Sequence, residues 1–465
     1  MPVHDTPALL YCAVNGITNC TNGIGRQTKT LLAVLEHHYP RLATAVGDFT
    51  PYLAVPQPGP ATWNNDPADL AYARSVVEPL GGQVIPLIYD TSGPLWLPET
   101  FEHLSTAAAT AASDLARTHP RVIVVAVDTP FAGVPAAAAG DERVEAVLAL
   151  FSTTRITERP TPDPGRLAWE QRAITAVNAL PRAWVADIGA FLTGHLTQEY
   201  GLDPGRLVSW PSGLHLPAAD LQPMPTARAA EVLARFGIPT GRPIIAHVGR
   251  TDPTKGLDLL IDAIGASATL RDRVHLAAIA VPTDDERATL LGTYRSRCRD
   301  LGLSATIVGA FDRDLPRALA SWPGTHVMAC PSRGETLANT VFETALWARD
   351  AGPVVLAPGR DGFTEQITDG HNGLLYHPTR PGALTTGLHR ALTLTDAEHA
   401  RMRAAAHHRV VGERDATAHL AALLGRFIRP GDGHAAKLTD HPSPDARPPR
   451  SQAPHHPLET TEATA

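Results

Sequence analysis

Two carboxylates and a lysine are the residues of this chain whose types and spacing point most directly to chemistry. Glu335 and Glu343 lie eight positions apart within residues 328–345, Met-Ala-Cys-Pro-Ser-Arg-Gly-Glu-Thr-Leu-Ala-Asn-Thr-Val-Phe-Glu-Thr-Ala. This stretch reads as the end of a buried strand (326–330), a tight turn at Pro331 to Gly334 and a helix from about Leu337. Eight positions are a little over two helical turns, so Glu335 would hang at the helix mouth and Glu343 lie deeper on a similar face. The N–H groups of Leu337, Ala338 and Asn339, at the start of such a helix, suit an anion such as a diphosphate. Carboxylates beside them accept hydrogen bonds from hydroxyls. A ligand that is part phosphate and part polyol, a sugar nucleotide, satisfies both. Taken alone, the same residues also fit an amphipathic helix with exposed acids.

A second stretch, His247-Val-Gly-Arg-Thr-Asp-Pro-Thr-Lys-Gly-Leu-Asp-Leu-Leu-Ile-Asp-Ala-Ile264, favours the ligand reading. A hydrophobic strand (243–248) ends in Gly249-Arg250, a short loop follows, and Lys255-Gly256 opens an apolar helix. That is one βα unit, and its loop falls at the carboxyl edge where open α/β sheets bind ligands. The chain has only three lysines, Lys29, Lys255 and Lys437. In a protein that otherwise uses arginine, a lysine in this loop reads as a chosen cation.

With both stretches in view, the chain resembles the retaining glycosyltransferases of the GT-B fold, in particular family 4. That family carries G-R-x4-K-G followed some 80 residues later by P-S-x-x-E-x7-E. Here these stand as Gly249-Arg250…Lys255-Gly256 and Pro331-Ser332…Glu335…Glu343. The resemblance covers roughly residues 8–425. It implies a doubly domained α/β fold, two Rossmann-like domains with an interdomain cleft. It also implies that Glu343 holds the ribose hydroxyls and Glu335 the hydroxyls of the donor sugar. Arg250, Lys255 and the helix start at Leu337, Ala338 and Asn339 would neutralise the leaving diphosphate in place of a metal ion. Ala310 and Phe311, after a strand, look like the loop that packs against the nucleobase.

The remaining elements must position these groups. A chain of 465 residues, 43 % hydrophobic, can bury two cores. Its formal charge of −7 argues against a nucleic-acid partner. No run of 18 apolar residues predicts a membrane span, and the start Met-Pro-Val-His-Asp lacks the regions of a signal peptide. Four scattered cysteines fit reduced core thiols, so a cytoplasmic setting is expected. The expected division is 1–215 for an acceptor-side domain, 216–225 for a linker, 226–428 for a nucleotide-sugar domain and 429–465 for a disordered tail.

In the first domain, residues 8–14 read as a buried strand, and Asn15 to Gly25 as a polar loop before a helix from Arg26 to about His37. Gly23 and Gly25 would let the backbone approach a phosphate or sugar, or make a tight turn. Arg26 and Lys29 put positive charge where the helix dipole disfavours it, which hints at a nearby anion, although solvated charges fit the same pattern. Residues 84–89 and 121–127 read as further strands, and Phe151 to Arg155 as a short strand with a cleft-facing loop. Asp128 ends the second of these strands, facing the crevice or capping a helix. Residues 57–69 read as an acceptor-proximal loop or a surface excursion. Pro211-Ser212-Gly213 resembles the turn that closes the first domain in the family. No histidine matches the cleft histidine of many relatives in this half.

The expectation is transfer of a sugar, with retention, from a nucleoside diphosphate to a hydroxyl of a small polar acceptor. Glu335, Asp128, Arg250 and Lys255 form the expected catalytic set, with no metal and no cofactor beyond the nucleoside-diphosphate sugar. A trehalose-phosphate-synthase-like branch with a sugar-phosphate acceptor, supported thinly by Arg155 and Arg159, stays open. So does a non-catalytic sugar-nucleotide-binding protein. A pyridoxal-phosphate-dependent phosphorylase would need a Schiff-base lysine, and Lys255 stands in the wrong motif for one.

Overall fold

The computed structural model describes residues 4–19, 23–57, 66–89 and 95–428. The tail from 429 and most of the 57–69 loop therefore lie outside the described residues. Two parallel sheets organise the rest. The first contains β1 (Ala8–Cys12), β2 (Thr50–Pro56), β3 (Val84–Leu87), β4 (Val122–Val127), β5 (Val144–Ala149), β6 (Ala183–Asp187) and β7 (Leu207–Ser209). Their order is β3-β2-β1-β4-β5-β6-β7. The second contains β8 (Ile244–Arg250), β9 (His275–Val281), β10 (Ala305–Val308), β11 (Thr325–Ala329), β12 (Val354–Pro358) and β13 (Leu374–Tyr376), ordered β10-β9-β8-β11-β12-β13. Strand order reverses between β1 and β4 and between β8 and β11, and crevices open at such points.

The central strands are apolar throughout because helices cover both faces. β4 reads Val-Ile-Val-Val-Ala-Val and is buried at every position. β2 is invisible to a pattern reading, because Pro51 and Pro56 interrupt a run that nevertheless pairs with β1 and β3. The segment after β5 forms no second strand. Phe151 to Thr153 are loop, and Thr154–Thr157 make one helical turn. The first helix is also longer than expected, running Gly23–Val46 with Pro40 inside it. Its apolar stripe continues past the proline through Leu42 and Val46, and that burial outweighs the hydrogen bond the proline removes.

The chain crosses between domains twice, side by side. Leu214 N–H donates to Arg414 O (2.8 Å), and Leu214 forms an isolated bridge with Asp415. The linker then packs Leu214 and Leu221 against Phe342 and Leu346 of the second domain. The last helix, Ala416–Ile428, corrects the expected boundary at 428, because it returns to the first domain. Leu420, Leu423, Leu424 and Phe427 join that core, and Arg121 donates to Phe427 O at 2.6 Å. Among the described residues no helix is long and apolar enough to cross a membrane.

Candidate functional site

The second domain builds one wall of the cleft from the loop after β8 and the turn after β11. Asp252 caps a short turn at Pro253–Lys255, accepting from Thr254 N–H (2.8 Å) and Thr254 Oγ1–H (2.7 Å). Gly256 follows with φ 70°, and a Cβ there would lie 2.2 Å from Pro331 O. Only glycine lets these two loops meet so closely. Their approach brings Lys255 Nζ to within 2.6 Å of Glu335 Oε2. The predicted cation and carboxylate thus form one ion pair, each side chain no more than a quarter exposed. Beneath the loop lies buried His247, with Nδ1 3.1 Å from Ala329 O. Burial pushes its pKa down to about 4, and Lys255 adds to that, so it is a neutral imidazole. Arg250, exposed at the end of β8, has Asp252 as its ion-pair partner at 3.7 Å.

The helix bearing Glu343 spans Asn339–Trp347 and starts two residues later than expected. Gln366 accounts for the delay. It accepts from Ala338 N–H (2.9 Å) and donates to Ala338 O (3.0 Å), a buried clasp that uses the donor expected for an anion. Leu337 lies outside the helix and packs toward Gly189. Glu335 is accordingly on the turn, not on the helix face of Glu343. Asn339 reaches across the cleft, donating to Gly23 O (3.1 Å) and accepting from Gln27 Nε2 (3.3 Å). Gly23 and Gly25 lie within the first helical turn instead of a preceding loop, Gly23 facing Asn339 and Gly25 buried. Arg26 lies 3.2 Å from Glu343 and 2.6 Å from Asp220. Burial raises the Glu343 pKa, opposed by Arg26 and reinforced by Asp220. Lys29 pairs with Asp69 at 2.8 Å. The two cations read as a hint of an anion are thus held by carboxylates.

The opposite wall comes from the carboxyl ends of β1, β4, β5 and β6. Asp128 has φ 66°, a costly conformation for a residue with a side chain. It caps no helix through its side chain, and its carboxyl faces Phe151 N–H at 3.4 Å. Burial raises its pKa to about 6. Glu170, fully buried, accepts from Thr154 N–H (3.0 Å) and from the Tyr200 hydroxyl (2.6 Å), and burial pushes it up to about 7. A histidine does reach this wall. His195, on the helix Ala190–Tyr200, sits 2.9 Å from Thr153 Oγ1. Sequence spacing could not show it, because it comes from a helix 42 residues beyond its partner.

The walls touch along the turn that carries Glu335. Thr336 Oγ1 donates to Phe151 O. A Cβ at Gly334 would lie 2.3 Å from Ile156 O. Arg159 holds Asp361 through both carboxylate oxygens (3.0 and 3.2 Å), and Asp361, like Asp128, has a positive φ, 53°. Glu365 accepts from Phe191 N–H at 2.8 Å. None of these polar contacts carries a motif of its own, but Asp361-Gly-Phe-Thr-Glu365 follows β12 toward the same cleft. At the far end, Ala310 and Phe311 follow edge strand β10, and Phe311 is 59 % exposed with its ring open to stacking.

Comparison with known proteins agrees with this geometry. Residues 230–409 match the model of glycosyl transferases group 1. A D-inositol 3-phosphate glycosyltransferase of Gordonia bronchialis is 29 % identical over 255 residues, covering 53 % of this chain and 52 % of the relative. The enzyme of that name from Acidothermus cellulolyticus is 25 % identical over 251 residues, covering 53 % and 52 %. The chain therefore spans about half the length of these curated relatives. Among solved structures, sucrose-phosphate synthase of Thermosynechococcus elongatus superposes with a TM-score of 0.66 at 18 % identity, over 91 % of this chain and 98 % of that one. Anabaena Alr3699/HepE in complex with UDP-glucose gives 0.63 at 14 %, over 90 % and 98 %. The matched segment holds Arg250, Lys255, Glu335 and Glu343 and is similar to the group 1 glycosyl transferases, and the two parallel sheets give the chain the GT-B fold of its solved neighbours.

Proposed function

We propose that this protein moves a sugar from a nucleoside-diphosphate sugar to a hydroxyl of a small polar acceptor, with retention at the anomeric carbon. The observation that carries this reading is the Lys255–Glu335 pair, set at the turn where the two domains meet. The diphosphate lies against Lys255, Arg250 and the amino end of the helix Asn339–Trp347, where two cations and the helix dipole oppose its charge. Glu343 takes the ribose diol and Phe311 the base. Glu335, oriented by Lys255, takes the hydroxyls of the transferring sugar. As the bond from anomeric carbon to phosphate oxygen breaks, the acceptor oxygen bonds to that carbon on the same face. Its proton passes to the departing phosphate oxygen, leaving a glycoside and a nucleoside diphosphate. Asp128 and the loops after β1 and β5 hold the acceptor.

Titration of the protein with UDP-, GDP- and dTDP-sugars, followed by a transfer assay, tests this reading. Saturable binding of one nucleotide, lost in Lys255→Ala, is expected. Absence of binding to every nucleotide sugar overturns it. Binding without transfer to any acceptor would favour a sugar-nucleotide-binding protein.

A further inference from the structure

The curated relatives are named for an acceptor that carries a phosphate, yet the acceptor wall of this protein is built for the opposite chemistry. The loop after β1 encloses Asn15, Thr18 and Asn19, each at most 3 % exposed. Asn15 Oδ1, Thr18 Oγ1 and Asn19 Oδ1 are fully enclosed and have no hydrogen-bond partner among the described residues, and Ser152 Oγ in the loop after β5 is the same. Asn19 Nδ2 faces Val14 O at 3.5 Å, which identifies its oxygen as the unpartnered end. The register pairs Cys12 with Ala126 and Val127 with Ala149, so these loops stand on either side of Asp128 at one sheet edge. Phe151 O, next to Ser152, receives the Thr336 hydroxyl, which ties this edge to the turn of Glu335. Orphaned buried polar atoms are costly, and four of those among the described residues lie in the two loops that flank Asp128.

The chemistry of these atoms selects a partner. Amide oxygens only accept, so whatever satisfies Asn15 and Asn19 must donate. Hydroxyl groups donate; a phosphate dianion only accepts. Among the described residues each cation at this edge faces a carboxylate, so a dianion there would compete with an existing ion pair. Arg26 holds Asp220 and Glu343, Lys29 holds Asp69, Arg155 holds Glu199, Arg159 holds Asp361 and Arg166 holds Glu158. Residues 20–22, 58–65 and 90–94 contain no lysine or arginine.

We infer that the acceptor is an unphosphorylated polyol, a free sugar or cyclitol, whose hydroxyls donate to Asn15, Asn19 and Ser152 beside Asp128. The inference rests on the transferase reading above and specifies its substrate class. The test uses the full chain with the sugar nucleotide that titration identifies. Matched pairs of free hexoses, cyclitols and aminocyclitols and their monophosphates are supplied as acceptors, and products are read by mass spectrometry. A free polyol should be glycosylated, with kcat/KM at least 10-fold above that of its monophosphate. A monophosphate used equally well or better overturns the inference, as does inertness of every free polyol while the nucleotide sugar still binds. Failure of all nucleotide-sugar binding would instead sink the transferase reading. Asn15→Leu should raise the acceptor KM at least 10-fold with nucleotide affinity kept. Ser152→Ala supplies the same readout should Asn15→Leu fail to fold, and an unchanged KM in a folded variant counts against the site.

Discussion

The two walls of the cleft are made of the same kind of element, loops at the carboxyl edge of a parallel sheet, but they solve different electrostatic problems. The second-domain wall carries full charges in mutual reach, Lys255 on Glu335 and Arg250 on Asp252. The first-domain wall presents amides, hydroxyls and a carboxyl that burial moves toward its neutral form. A highly charged leaving group needs the first arrangement, because compensating charge fixed in advance costs no reorganisation during reaction. A neutral acceptor needs the second, because desolvating it costs little and hydrogen bonding alone can orient it. The difference teaches that one fold gives its two halves separate chemistry through what their loops carry.

The largest expected effect breaks the charged wall. Lys255→Ala should lose roughly 2–4 kcal/mol of transition-state stabilisation, read as a fall in kcat/KM with the fold intact. An unchanged transfer rate would mean that the cation is structural.

The next effect divides the two glutamates. Glu343 is assigned to the ribose, which the reaction leaves unchanged, so Glu343→Gln should raise KM with kcat nearly kept. Free nucleotide should bind it more weakly by roughly 1–3 kcal/mol. Glu335→Gln should instead lower kcat and leave free-nucleotide affinity intact, since it faces the sugar as charge develops. Equal losses in both variants would mean that the donor lies the other way along this turn.

A smaller effect probes the neutral wall through stability. The folded pKa of Glu170 is raised to about 7 by burial, so the native state binds more protons than the unfolded chain above the ordinary carboxylate range. Its contribution is full below the unfolded pKa and is lost as pH rises through about 7. Glu170→Gln should flatten the decline in stability between the two pKa values by roughly 1–3 kcal/mol, measured by denaturant unfolding at stepped pH. An identical slope in both proteins would contradict the burial argument. The smallest effect is none at all: transfer should survive EDTA, because the proposed function gives Lys255, Arg250 and the helix start the role of a metal. Complete, reversible loss on chelation would require carboxylate ligands near Asp361 and Glu365.

The charged wall was legible in the sequence because its residues sit at fixed offsets from strand ends and turns. Gly249-Arg250…Lys255-Gly256 and Pro331…Glu335…Glu343 each lie within one βα unit, so local spacing suffices. Helix starts were less legible. The delay to Asn339 depends on Gln366, 28 residues away, whose clasp on Ala338 no local rule contains. The neutral wall was legible only in part. Asp128 follows visibly from the strand before it, as does the cleft-facing loop of Ser152, but His195 and Glu170 join it through tertiary packing across β5 and β6. The return of Ala416–Ile428 to the first domain was also hidden, since an apolar stripe on a helix does not say which core it enters.

The central claim is that the charged wall binds the donor and the neutral wall the acceptor, and calorimetric titration with the free nucleoside diphosphate tests it most directly. Glu343→Gln should weaken binding roughly 10- to 100-fold, the loss of one buried hydroxyl partner. Asn15→Leu should bind that nucleotide as the parent protein does. Strong loss in Asn15→Leu with none in Glu343→Gln would contradict the account, because it would put the nucleotide on the neutral wall.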